Sequence, residues 1–270
     1  MLRFQVSSLT FSLLLISAGS SVIYGECSRD YFTSNTAYQL NVDLLYTSLI
    51  ESSSIYNFKI FEIPATGFSQ NDVVFGLFQC QGDLSFSRCR DCVARSVSQL
   101  KINCPVSIGG TIQLEGCFVK YDNISFVGLE DKMEAFRSCG PSIGHNSDIL
   151  INRDDALAYV ISGIDGHYFR AAVSGSVQAV AQCEEDLTLS ECEDCLLEGR
   201  ARLTSECKTS SRGAVYVGKC YIRYAHQGIL KGRYYNRNSK REREFERDIA
   251  GGSLRDTNGD REKERDARRQ

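Results

Sequence analysis

From Tyr38 the apolar residues Leu40, Leu44, Leu45, Leu49 and Ile50 recur at helical spacing, which predicts a helix to about Ser53. Asn57 to Ile63 alternates apolar and polar positions, the two-residue period of a strand, and Pro64 stops it. Gly67 to Asn71 reads as a turn, and Val73 to Gln79 as a second strand running into Cys80. Ser87 is a suitable N-cap for a helix from about Arg88 to Lys101. Thr111 to Leu114 and Cys117 to Asp122 follow as strands, joined by Glu115-Gly116.

The order then returns. Asp154 to Ile164 predicts a helix, shorter than its counterpart, and His167 to Val173 and Val177 to Gln182 predict strands. Glu191 to Leu203 predicts a helix, with Ser190 and Glu193 as a capping box. Ala214 to Val217 and Cys220 to Ala225 complete the set. The connecting stretch, Asn123 to Ser138, includes a helix-like run from Leu129 to Phe136. The cysteines make the repetition explicit. Cys80-x8-Cys89-x2-Cys92-x11-Cys104-x12-Cys117 recurs at identical spacing as Cys183-x8-Cys192-x2-Cys195-x11-Cys207-x12-Cys220. FQCQGDLSFSRCRDC aligns with AQCEEDLTLSECEDC, and GCFVKY with KCYIRY. The chain is a tandem duplication.

The two ends differ from the repeats. Met1-Leu2-Arg3 is a short basic start, Leu9 to Ile16 a brief apolar core, and small residues follow through Ser21. That is the pattern of a signal peptide, with cleavage expected after Gly25 and a second candidate site near Ser20. Beyond Gln227 the chain turns to Arg, Lys, Glu and Asp, and 231–270 reads as a charged, disordered tail. Its interleaved acidic residues argue against nucleic-acid binding. The expected division is 1–25 signal peptide, 26–128 first repeat, 129–230 second repeat and 231–270 tail. No later stretch reaches the ~20 apolar residues of a membrane helix. The net charge of −3 singles out no partner class.

Twelve cysteines divide into six per copy, Cys27 joining the first set and Cys139 the second. A zinc ribbon needs its ligand pairs close together, and here the two CxxC pairs lie in separate copies with no histidine near. A thioredoxin-like motif has no use for four further matched cysteines per domain. Structural disulfides account for all twelve and place the chain in an oxidising compartment. Cys89 and Cys92, on one helical face, can be tied to Cys80 on one side and Cys117 on the other; spacing alone leaves the connectivity open.

Catalytic chemistry is not evident. His145, His167 and His226 sit in dissimilar surroundings, and no Ser, Cys and His set has a nucleophile context. Glu184-Glu185-Asp186 reads as a solvated turn, since no spaced oxygen-ligand loop follows. There is no phosphate-binding glycine loop, so no cofactor and no metal is expected. Asn123-Ile-Ser125 is the single glycosylation sequon, placed at a strand end, and Asn123 is the candidate acceptor. Phe118, Tyr121, Tyr221 and Tyr224 line the last strands; half of them should face the core and half offer a contact surface.

The C-x8-C-x2-C motif and the later G-C-[FY]-[VI]-x-Y resemble the ginkbilobin-type cysteine-rich repeat of land plants. The double repeat without a kinase, GLFQCQGDLS and the stretch from Gly166 to Val177 are most similar to the plasmodesmata-located and cysteine-rich repeat secretory proteins. The resemblance spans Cys27 to Tyr224. It implies an α+β fold per domain, with two helices on an antiparallel sheet of about five strands. It also implies the pairing Cys27–Cys104, Cys80–Cys89, Cys92–Cys117, Cys139–Cys207, Cys183–Cys192 and Cys195–Cys220.

Two departures from the family stand out. The plasmodesmal proteins continue into a transmembrane helix that carries their targeting, where this chain has its charged tail. In the family's mannose-binding seed lectin, Asn, Arg and Glu hold the sugar; the matching residues here are Ser28, Thr111 and Asp122, then Gly140, Ala214 and Ala225. Asp122 alone keeps comparable chemistry, and the Arg donor is missing. The expectation is a non-enzymatic secreted protein of the apoplast. It would bind a cell-wall glycan or a receptor-like ectodomain in cell-to-cell communication or defence. Localisation at plasmodesmata or the plasma membrane would follow if the natural form carries the family's membrane segment. The alternatives are an antifungal lectin and an extracellular thiol oxidoreductase. Pairing as a homo- or hetero-dimer is left open.

Overall fold

The computed structural model describes residues 21–65, 72–145, 147–162 and 166–226. Residues 1–20 of the signal peptide expected over 1–25, the turn expected at 67–71 and the charged tail at 231–270 lie outside the described residues. The chain divides into two compact units between Leu129 and Glu130.

In the first unit, β1 (Val22–Cys27), β2 (Phe58–Ile63), β3 (Val74–Cys80), β4 (Gly110–Leu114) and β5 (Cys117–Asp122) form an antiparallel sheet in the order β1-β4-β5-β3-β2. Helices α1 (Ala37–Ser52) and α2 (Phe86–Asn103) pack on one face. The second unit repeats this with β6 (Glu134–Cys139), α3 (Ser147–Ser162), β7 (Phe169–Ser174), β8 (Val177–Cys183), α4 (Leu189–Glu206), β9 (Arg212–Val217) and β10 (Cys220–His226). Its sheet order is β6-β9-β10-β8-β7. Both units are α+β.

Helix α2 buries Cys89, Cys92, Val93, Ser96, Val97 and Leu100, one stripe at helical spacing. Each aliphatic side chain withdrawn this way contributes about 1.5–3 kcal/mol. Disulfides tie the same helix to three strands. Cys80 at the end of β3 bonds Cys89, Cys92 bonds Cys117 at the start of β5, and Cys27 at the end of β1 bonds Cys104 at the helix C-cap. The second unit has Cys139–Cys207, Cys183–Cys192 and Cys195–Cys220. Glycine is required at the same place in both sheets. A Cβ on Gly110 would stand 2.8 Å from Tyr121 Cε1, and one on Gly213 2.8 Å from Tyr224 Cε1.

Several local expectations are corrected. The N-cap of α2 is Ser85, not Ser87, and the capping box of α4 is Thr188 with Glu191, not Ser190 with Glu193. Both pairs fit the spacing rule. Burial of Leu187, the residue before the cap, sets the start earlier. Helix α3 is as long as α1, 16 residues. Its buried stripe is Arg153, Ala156, Leu157 and Val160, matching Val42, Leu45, Tyr46 and Leu49 of α1. An arginine at a core position hid the first turns from a search for apolar residues. The run from Leu129 to Phe136 is not helical: Leu129 and Met133 are 59% and 77% exposed, and Glu134 onward is β6. Phe136 packs at 6.1 Å on the Tyr216 ring. Residues 22–27 form a sheet strand, Gly25 standing opposite Ile112. A boundary after Gly25 would remove four of the six residues of β1, whereas one near Ser20 would leave the strand whole.

Candidate functional site

Ser28, Thr111 and Asp122 come together at one end of β1, β4 and β5. Ser28 N donates to Gly109 O (2.9 Å), and Ser107 Oγ donates to Ser28 O (3.0 Å). A Cβ on Gly109 would lie 2.8 Å from Asp122 Oδ2. Thr111 stands opposite Lys120 in the β4/β5 register, so the two share the face turned away from the helices. The polar groups at this end already have work. Ser28 Oγ accepts from Asp30 N (3.3 Å), and Asp122 Oδ1 accepts from Ile124 N (3.2 Å) in an Asx turn.

The cation on this face is Lys120, whose Nζ lies 4.6 Å from the centroid of the Phe126 ring. Arg223 occupies the matching place in the second unit, opposite Ala214, 5.7 Å from the centroid of the Tyr221 ring. The sequence carried this signal in the fifth residue of GCFVKY and KCYIRY. Gly140, Ala214 and Ala225 supply no polar side chain, and Gly140 N donates to Arg212 O (2.8 Å). At these three positions the second copy therefore offers no polar side chain, and the first offers one carboxylate, Asp122.

Of the four aromatics, Tyr121 and Tyr224 are buried on the helix side, where burial pushes both phenols above their ordinary pKa. Phe118 is not exposed: it forms a second apolar cluster with Leu77 and Phe126 on the other face. Tyr221 stacks on Tyr216 at 5.1 Å and donates to Gln182 Oε1 (3.1 Å). Asn123 is half-buried, with its Oδ1 shielded from solvent.

Of the acidic cluster only Glu185 is exposed; Glu184 and Asp186 are not solvated. Lys219 Nζ lies 2.8 Å from Glu184 Oε2 and 2.6 Å from Asp186 Oδ2, with side-chain exposures of 2%, 8% and 1%. Burial alone would lower the Lys219 pKa, but the two carboxylates outweigh it and hold the ammonium above its ordinary value. The first unit has Gly116 in place of Lys219, and Gln81 Nε2 donates to Asp83 Oδ1 (2.7 Å). Lysine and the added glutamate appear together in one copy and are missing together from the other.

Among the described residues, no group of three or more His, Cys, Asp or Glu is placed to hold a metal ion. No helix among them is long and apolar enough to cross a membrane. All twelve cysteines are in disulfides.

Residues 26–124 and 142–227 each match the family model described as salt stress response/antifungal. Plasmodesmata-located protein 7 of Arabidopsis thaliana is 44% identical over 232 residues, 85% of this chain and 76% of the relative. Plasmodesmata-located protein 6 of the same plant is 43% identical over 239 residues, 86% and 82% of the two chains. The crystal structure of the tandem DUF26 ectodomain of the Arabidopsis thaliana cysteine-rich receptor-like protein PDLP8 superposes with a TM-score of 0.72. It is 35% identical and covers 77% of this chain and 99% of that one.

Proposed function

This chain belongs to the salt stress response/antifungal family in its tandem form, and on that premise we propose that it is a non-enzymatic extracellular binding protein. It acts at the plant cell surface in cell-to-cell communication or defence, by engaging a cell-wall component or a receptor-like ectodomain. The observation that carries the reading is the duplicated frame of six disulfides, which suits an oxidising compartment and in which both CxxC pairs are bonded outward, Cys89 to Cys80 and Cys92 to Cys117, Cys192 to Cys183 and Cys195 to Cys220. The names of the relatives, plasmodesmata-located proteins 6 and 7, favour plasmodesmata as the place of action. A mannose-binding reading would rest on Asp122 alone and is not adopted.

A fluorescent protein inserted after His226, with the native tail kept behind it, tests the proposal in plant epidermis. Puncta at wall pits coinciding with callose, or a diffuse apoplastic signal, are the supporting results; puncta select plasmodesmata. Retention in the cytosol overturns the reading.

A further inference from the structure

The duplication makes each unit an internal control for the other, and one crevice differs between them in an informative way. In the second unit Arg153 lies on the core face of α3 with its side chain 9% exposed. Its guanidinium has three kinds of partner. Nε and Nη2 both donate to Asp154 Oδ1 at 2.8 Å, Nη1 donates to Lys208 O, and Cζ stands 5.8 Å from the centroid of the Tyr224 ring.

In the first unit the matching residue is Val42, fixed by the shared buried stripe of the two helices. The three partners persist. Asp43 matches Asp154, Pro105 matches Lys208, and Tyr121 matches Tyr224. With valine in place of arginine, these residues border an open cavity of about 200 Å³, lined also by Phe32, Gln39, Tyr46, Lys101 and Cys104. That volume is below the roughly 300 Å³ where sites for drug-sized ligands begin and suits a single side chain.

We propose that this crevice in the first unit binds an arginine side chain presented by a partner polypeptide, taking the place that Arg153 fills in the second unit. Asp43 would accept from the guanidinium, the Pro105 carbonyl would take a second N–H, and the rings of Tyr121, Tyr46 and Phe32 would stack around its plane. Lysine offers a point charge without the planar fork, so it fits the same three partners poorly. Lys101 now holds Asp43, with Nζ 3.1 Å from Oδ1 and 5.2 Å from the centroid of the Tyr46 ring. Both partners of that pair are half exposed, so an incoming guanidinium displaces a weak surface bridge. The proposal deepens the binding role proposed above by naming the chemistry of the partner.

The test titrates the full chain with a blocked glycine–arginine–glycine tripeptide by calorimetry in low salt, with the lysine tripeptide as control. Saturable arginine binding, about tenfold tighter than lysine, is expected. Val42→Arg, which supplies the plug of the second unit, should abolish it. Should that variant fail to fold, two surface changes keep the question open to refutation. Asp43→Asn should weaken binding about fivefold, and Lys101→Gln should tighten it about twofold, since it frees the carboxylate. Equal binding of both tripeptides, no binding, or a Val42→Arg protein that binds as before overturns the site. Absent binding together with callose-associated puncta overturns the site and leaves the proposed role standing. Arginine-selective binding with a cytosolic fusion does the reverse.

Discussion

Lys219→Met removes the ammonium that bridges Glu184 and Asp186. Their side chains are 8% and 1% exposed, so the two carboxylates stay buried when the ammonium goes. Breaking a buried ion pair by deleting one partner costs about 3–5 kcal/mol, because the stranded charge keeps its desolvation penalty. In a unit of this size each kcal/mol moves the midpoint by about 4–8 °C, so the second unit should melt at least ~10 °C lower. The first unit supplies the rescue. There a glutamine in Glu184's place donates to the remaining aspartate. Glu184→Gln added to Lys219→Met should therefore recover about 1–3 kcal/mol, half or more of the loss. The same Glu184→Gln in the native background should be neutral or destabilising. A double-mutant cycle, with urea unfolding followed by tyrosine fluorescence and circular dichroism, measures the change of sign. The pH dependence follows from the raised Lys219 pKa. A lysine held above its unfolded value contributes fully below that value, near 10.5, and loses the contribution as pH rises through the folded one. Buried Tyr121 and Tyr224, whose pKa values are raised by burial, make both proteins lose stability as pH rises past the ordinary phenol range, and the native protein should lose more than the Lys219→Met protein by the Lys219 share. A Lys219→Met protein within 1 kcal/mol of native, or a Glu184→Gln change with the same effect in both backgrounds, would refute the reasoning.

Three further expectations concern the frame. Cys92→Ser removes a bridge that closes 25 residues; it should cost about 2–4 kcal/mol, leave Cys117 as a titratable thiol and reduce secreted yield sharply. Normal secretion without a new thiol would contradict the pairing. Gly110→Ala and Gly213→Ala each place a methyl 2.8 Å from a buried tyrosine ring and should destabilise by about 1–3 kcal/mol, read as a shift in urea midpoint. An unchanged midpoint in both would show that the rings yield freely. N-terminal sequencing of the secreted protein should find a start at or before Val22, since β1 pairs with β4 along its length; a start at Glu26 would mean the sheet forms without that strand.

The fold was legible where periodicity and duplication agreed. The cysteine intervals and the alternating strands located both repeats, and the repeat of GCFVKY as KCYIRY placed the last strand of each. What stayed hidden has common physical causes. Arg153 sits where a core residue is expected, so α3 looked short; a buried guanidinium with three partners is invisible to a hydrophobic pattern. Two S/T-x-x-E pairs overlap at the start of α4, and only burial of Leu187 selects between them. Leu129, Met133 and Phe136 follow a helical spacing, but spacing without burial makes no helix. Residues 22–25 fit both the end of a leader and an edge strand, because a small-residue cleavage pattern and an edge strand look alike in sequence. The candidate site was legible in its losses, Thr111 and Ala214 in place of an arginine. Lys120, Arg223 and Lys219 were missed. Comparing the two copies position by position, for charges that appear in one and not the other, would have singled out Lys219.

The measurement that tests the central claim most directly is non-reducing peptide mapping, with thiol titration, of the protein purified from plant tissue. An extracellular binding protein built on this frame should show the six cross-linked pairs Cys27–Cys104, Cys80–Cys89, Cys92–Cys117, Cys139–Cys207, Cys183–Cys192 and Cys195–Cys220, and no free thiol. Reduced cysteines, or Cys89–Cys92 and Cys192–Cys195 bridges in their place, would contradict it and reopen the thiol oxidoreductase reading.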